Sequence, residues 1–227
     1  MKKLFHTIYN FFYVAFNWNL PLAFFITWHE IRRGPKYNFN TIKPESLDEL
    51  TIIEGDLSKS SPYEALNFFI LENLLENFRK LFPEEKGLID VGCGKGRVMI
   101  VAAHYGFNKI TGIDFAKELC AAAEKNVNKI KTQFPGITFK IICQDILNYQ
   151  IHPDDQVFFL FNPFNKEVME IFVENINKSV KEKPRTIYFM YANPQQIDVL
   201  LQNGYKEVFR IKKMKLLKAV ILVKLTR

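Results

Sequence analysis

From residue 87 onward, apolar and polar positions follow two alternating periods. Short apolar runs at 87–91, 109–113, 137–142, 156–161 and 185–191 read as strands. Between them, apolar residues recur three and four apart over 96–105, 116–132, 166–181 and 194–202, which predicts helices. That alternation predicts an α/β fold, a doubly wound, mostly parallel sheet with helices on both faces. After Gly204 the pattern changes, and 205–227 reads as two strands with no helix between them. They are expected to form an antiparallel C-terminal strand pair closing the edge of a seven-stranded sheet.

Upstream, Ser61-Pro62 is expected to open a helix, with Ser61 as N-cap, Pro62 in the first turn and Glu64 at the third position. Its apolar residues Leu66, Phe69, Ile70, Leu74 and Phe78 keep helical spacing, and Pro83 ends it. Residues 34–60 are polar with weak periodicity and read as a linker, entered at the Gly34-Pro35 break. Residues 1–33 form an aromatic-rich N-terminal helical extension, and 61–227 the main domain.

Residues 4–28 hold no Asp, Glu, Lys or Arg, yet carry ten of the 33 aromatic residues, both tryptophans included. The length would suffice for a membrane span, but His6, Thr7, Asn10, Asn17 and Asn19 interrupt the run and Pro21 divides it. No small-residue cleavage site follows, so the segment does not read as a signal peptide. Lys2 and Lys3 precede it, and Arg32, Arg33 and Lys36 follow. Aromatic residues between basic flanks suit an interfacial helix on a membrane surface. A helical arm packed on the domain or on a second subunit, or a true span, fits the same residues, and these alternatives stay open.

Composition narrows the remaining classes. The three cysteines, Cys93, Cys120 and Cys143, are too few for a disulfide scaffold and lack zinc-knuckle spacing, so no metal site is expected. A reduced cytoplasmic setting is the default. The net charge of +7 is uneven: residues 1–36 sum to +4, residues 204–227 to +7, and the stretch between to −4. Positive charge confined to the ends argues against a body that wraps nucleic acid.

The strongest chemical signal is LIDVGCGKGR at 88–97. An apolar strand ends in Asp90, and Gly92, Gly94 and Gly96 lead into a helix. Glycines let the backbone turn sharply and approach a ligand, while the helix start offers free N–H groups. With Asp90 two positions ahead of Gly92 and G-x-G-x-G spacing, the segment resembles the first motif of the class I S-adenosylmethionine-dependent methyltransferases. Asp114 in ITGIDF ends the next predicted strand, and Asp145 in IICQDI follows the third. The resemblance implies a Rossmann-like domain over 61–227 with S-adenosylmethionine as cofactor. It implies that Asp90 and the glycines order the loop at the methionine end, that Asp114 bonds the ribose hydroxyls, and that Asp145 faces the adenine amino group. Phe115 and Ile146 would add apolar contacts to the adenine.

After the fourth strand, Asn162-Pro163-Phe164 resembles a shortened form of the (D/N)-P-P-(Y/F) motif of nitrogen methyltransferases, with one proline instead of two. That resemblance implies that Asn162 accepts hydrogen bonds from a target amine, with Pro163 and Phe164 beside it. Tyr191-Ala192-Asn193-Pro194 is a weaker companion, explained equally well by turn chemistry. His104 and His152 read as structural or solvated, which leaves no obvious general base. Tyr63 is a candidate cover for the cofactor. The expected reaction is methylation of a nitrogen on a protein side chain or small amine. Methylation of a nucleic-acid base, and a non-catalytic cofactor-binding protein at a membrane, are the alternatives.

Overall fold

The alternation of periods is realised element by element in a computed structural model, which describes residues 2–37, 51 and 64–225. The N-terminal helices are α1 (Lys2–Asn17) and α2 (Leu20–Tyr37), followed by α3 (Phe68–Leu81). Then come β1 (Gly87–Val91), α4 (Arg97–His104), β2 (Lys109–Asp114), α5 (Lys117–Ile130) and β3 (Thr138–Cys143). The chain continues through β4 (Val157–Phe161), α6 (Lys166–Glu182), β5 (Ile187–Ala192) and α7 (Ile197–Gln202). It ends with β6 (Lys206–Lys213) and β7 (Leu217–Lys224).

The seven strands lie in the order β3-β2-β1-β4-β5-β7-β6. Strands β1 to β5 run parallel, and β7 pairs antiparallel with both β5 and β6. The C-terminal pair is antiparallel as expected, but it is the last strand, β7, that lies inside the sheet. Strand β6 forms the edge and runs in the direction of β1 to β5. The turn joining β6 to β7 therefore sits at the edge where the parallel strands end.

Strand order reverses between β1 and β4, which opens a crevice at their carboxyl ends. Period two divides the core. Phe159 and Met190 face one side with Leu74, Phe78 and Val101, while Phe158 and Phe189 face the other with Phe172 and Leu200.

Two boundaries differ from expectation. The helix expected from Ser61 begins at Phe68, where the Asn67 side chain accepts from the Ile70 N–H at 3.0 Å; Glu64 lies ahead of it. Ser61, Pro62 and Tyr63 lie outside the described residues. Gly34-Pro35 does not end the N-terminal helix, which runs on to Tyr37. Tyr37 is buried, stacks on Phe68 and donates its hydroxyl to Glu72 at 2.5 Å. That anchor holds the last turn in helical form although Pro35 supplies no N–H.

Helices α1 and α2 meet at Trp18. Asn19 accepts from the Leu22 N–H at 2.9 Å as N-cap of α2, and Pro21 falls in the first turn, where its missing N–H costs nothing. Of the expected linker, residues 34–37 belong to α2, and beyond them Thr51 is described. Its N–H donates to Glu118 and its carbonyl accepts from the Lys117 N–H, at the start of α5.

Candidate active site

The crevice begins at the end of β1. Gly92, Gly94 and Gly96 have φ of 73°, 52° and 78°, the left-handed region in which a side chain would be strained. A Cβ on Gly92 would stand 3.0 Å from Pro163 Cβ, so the glycine loop and the β4 exit press against each other. The Gly92 and Cys93 N–H groups both donate to the Ile113 carbonyl, at 2.9 and 3.0 Å. From α5, Asn126 donates to the Lys95 carbonyl at 3.0 Å. Gly96 closes the loop as N-cap of α4 without any side-chain cap.

Asp114, at the end of β2, holds the loop from its other side. Its two carboxylate oxygens accept from the Gly94 N–H at 2.8 Å and the Ala116 N–H at 3.0 Å. Burial raises its pKa, while the N–H groups of Ala116, Gly94 and Phe115 pull the other way. Asp90 is buried at 2% exposure, and its Oδ2 has no hydrogen-bond partner. Burial, and secondly the Asp114 charge, push its pKa well above the carboxylate range. A buried carboxylate oxygen left without a partner, beside a loop stripped of side chains, fits a polar ligand that approaches the backbone closely. Cys93 lies in the same wall. Burial, followed by the Asp114 and Asp90 charges, pushes its thiol up, which disfavours the thiolate.

Further along the edge, the Gln144 N–H donates to the Asp114 carbonyl at 2.9 Å, which sets the β3 exit beside the β2 exit. Asp145 there caps a short 3₁₀ turn, accepting from the Leu147 N–H at 2.9 Å. Ile146 is buried in the core and Phe115 is half-buried. Asp90, Asp114 and Asp145 thus stand on adjacent strand exits, in the order the sequence placed them.

Asn162 leaves β4 with φ of 41°, a left-handed conformation that asparagine tolerates better than most residues. Tyr191 on β5 is buried; its hydroxyl donates to Asn162 Oδ1 at 3.3 Å and accepts from the Gln196 N–H at 3.2 Å. Tyr191 therefore positions Asn162. Pro163 rests against Gly92. Phe164 follows, with its ring turned away from open solvent. It is 7% exposed and meets Phe172 edge-on, so its weight is in the core. Asn193 is a turn residue whose N–H donates to the Lys218 carbonyl at 2.8 Å. His104 packs between Tyr37 and Phe134, as a structural residue would. Among the described residues, no cluster of His, Cys, Asp and Glu could hold a metal ion.

Two features escaped the sequence. Gly112 has an ordinary φ, but a Cβ there would lie 2.9 Å from Cys93 Sγ and closer still to Met99 Sδ, so glycine is needed for packing. Arg97, the first residue of α4, makes a buried ion pair with Glu30 of α2 through both guanidinium NH groups, and one also donates to the Leu66 carbonyl at 2.8 Å. Nothing in a single sequence joins residues 67 positions apart. Tyr191 belongs to the weaker companion motif of the sequence, and the structure adds its hydrogen bond to Asn162.

Residues 88–183 match the family model described as a methyltransferase domain. No curated protein matches the sequence. Among solved structures, the chain is similar to the ribosomal protein L11 methylase of Lactobacillus delbrueckii subsp. bulgaricus, with a TM-score of 0.50 and 14% identity over 70% of this chain and 78% of that one. A candidate RNA methyltransferase of Pyrococcus horikoshii gives 0.53 and 16% over 79% and 92%. The methyltransferase domain of bacterial CtHen1-C gives 0.51 and 14% over 69% and 97%. These likenesses fix the fold, and the acceptors their names carry differ. The glycine loop and the acidic strand exits lie inside the matched span, so residues 88–183 form an S-adenosylmethionine-dependent methyltransferase domain.

Proposed function

We propose that the enzyme methylates a nitrogen on a protein side chain or a small amine. The observation that carries this reading is the placement of Asn162, fixed by Tyr191 and set through Pro163 against Gly92 of the glycine loop. Its amide can accept from an incoming amine and turn the nitrogen lone pair toward the cofactor. Bound S-adenosylmethionine supplies an activated methyl group on a sulfonium. The amine must arrive neutral, and its surplus proton leaves to solvent. Asp90, Gly92, Gly94 and Gly96 would hold the methionine end. Asp114 keeps lone pairs for the ribose hydroxyls, and Phe115, Asp145 and Ile146 would border the adenine. The inward ring of Phe164 disfavours a nucleic-acid base, which needs an exposed stacking surface.

The enzyme is read as cytoplasmic and peripheral to a membrane. Three unpaired cysteines and the exposed aromatic side chains of α1 and α2 support this. Among the described residues, no helix is long and apolar enough to cross a membrane.

Transfer of labelled methyl to protein, small-molecule, RNA and lipid fractions of a lysate tests the acceptor. Label is expected in protein or small amines, and label in RNA alone overturns the reading. Asn162→Ala should lower transfer roughly a hundredfold while cofactor affinity, by calorimetry, stays within a few-fold. Collapse of cofactor binding would instead assign Asn162 to the cofactor.

A further inference from the structure

The two basic ends of the chain come together in space. Val14 of α1 and Leu22 and Ala23 of α2 form a small core that Met214 and Leu217 join from the turn between β6 and β7. The Lys213 ammonium lies 6.0 Å from the centre of the Phe25 ring. That turn stands at the carboxyl edge of the sheet, the edge that holds the glycine loop and Asn162. The helical pair is therefore built onto the active-site edge.

Its outer surface is apolar in an ordered way. Eleven of the seventeen large hydrophobic side chains exposed among the described residues lie between Phe5 and Ile31. They form two stripes at helical spacing, with Phe5, Phe12 and Phe16 on α1 and Phe24, Trp28 and Ile31 on α2. Phe16 is 86% exposed and Phe5 67%, values that core packing does not explain. Lys212, Lys213, Lys215 and Lys218 stand exposed beside this surface, and Arg32 lies over the Trp28 ring at 4.9 Å.

We propose that α1, α2 and the β6–β7 turn form one docking surface for an anionic phospholipid bilayer, which turns the active-site edge toward the membrane. This deepens the peripheral placement proposed above and rests on it. The aromatic stripes would lie at the headgroup level and the lysines would meet lipid phosphates. A second copy of the chain fits less well. A two-fold contact through the same stripes would bring the lysine clusters of both copies together as like charges.

Both tryptophans of the chain, Trp18 and Trp28, lie in this surface and report directly. The full chain is mixed with vesicles of phosphatidylglycerol and phosphatidylcholine, or of phosphatidylcholine alone, and sedimented. Expected are co-sedimentation with the anionic vesicles that weakens with salt, a blue shift of tryptophan emission, and quenching by brominated lipid. The variant F5S/F16S/F24S, which alters only exposed side chains, should lose roughly tenfold or more of its partitioning with unchanged cofactor affinity. K212Q/K215Q/K218Q should lose about tenfold or more on anionic vesicles only.

Orientation is read with a polarity-sensitive dye on Leu216→Cys in the turn and on Glu182→Cys at the opposite edge. The first dye should shift on binding and the second should not. Protein that stays in the supernatant with both vesicle types overturns the proposal. So does concentration-dependent self-association abolished by F5S/F16S/F24S without vesicle binding, or a shift at residue 182 instead of 216. Vesicle docking without methyl transfer to any amine would sink the acceptor assignment and leave this surface standing; transfer without docking would do the reverse.

Discussion

Asp90 and Asp114 place two carboxylates in one buried wall, and the backbone treats them unequally. Asp114 receives N–H groups on both oxygens, whereas Asp90 keeps one oxygen without a partner. Folding raises the Asp90 pKa, so its ionised form opposes folding. The opposition is absent below about pH 4, where the carboxyl is protonated folded or unfolded. It grows as pH rises until the folded-state pKa has been passed. Asp90→Asn removes the charge at constant shape, so the cofactor-free variant should melt above the wild type at pH 8 and level with it near pH 4. Its affinity for S-adenosylmethionine should fall roughly tenfold or more, since a charged acceptor is lost. Thermal scans across pH and calorimetry check both outcomes; a variant that melts lower at pH 8 would refute the account. Tyr191 supplies the second residue-scale prediction. Burial pushes its pKa up to about 12, so its hydroxyl remains a donor at working pH. Tyr191→Phe should lower kcat about tenfold by freeing Asn162, without moving cofactor affinity.

At the scale of elements, the strands were legible because burial on both faces leaves continuous apolar runs that little else produces. Helix limits were less legible, because start and stop signals are local while the outcome is tertiary. Pro35 is a valid breaker, overridden by the Tyr37–Glu72 hydrogen bond and by Phe68 beneath the ring. The three acidic strand exits were readable from order and spacing. Their supports were not, since Gly112 acts through Cys93 and Met99, and Arg97 acts through Glu30. Gly112→Ala should cost about 1–3 kcal/mol through overpacking and disturb the loop enough to weaken cofactor binding. Glu30→Ala leaves the Arg97 guanidinium buried without its carboxylate, which should cost about 3–5 kcal/mol in urea titrations. The double variant E30A/R97M should cost less than the two single changes added together.

At the scale of the whole molecule, the two basic ends of the chain meet at the β6–β7 turn. The N-terminal helices are at once part of the domain and its most apolar exterior. Leu22 and Ala23 pack on the β6–β7 turn, Glu30 and Arg33 pair with Arg97 and Glu72, and Tyr37 closes over α3 and α4. Their outer stripes stay largely exposed, although Phe24 meets the Phe11 ring of α1 edge-on. Removing residues 1–33 therefore does more than remove an outer face. It takes Glu30 from Arg97 and Arg33 from Glu72, and uncovers Phe69, whose ring meets Phe25 and His29. The truncated chain should melt well below the full chain or aggregate, and should bind S-adenosylmethionine less tightly, because Arg97 opens the helix that follows the glycine loop. F5S/F16S/F24S should melt within a few degrees of the wild type, since surface changes away from special features shift stability by only about 0.5 kcal/mol. Parallel thermal scans with and without cofactor make the comparison. A truncated chain as stable as the full one, with full cofactor affinity, would show that the helices are an appendage and that the Glu30–Arg97 pair carries no structural weight.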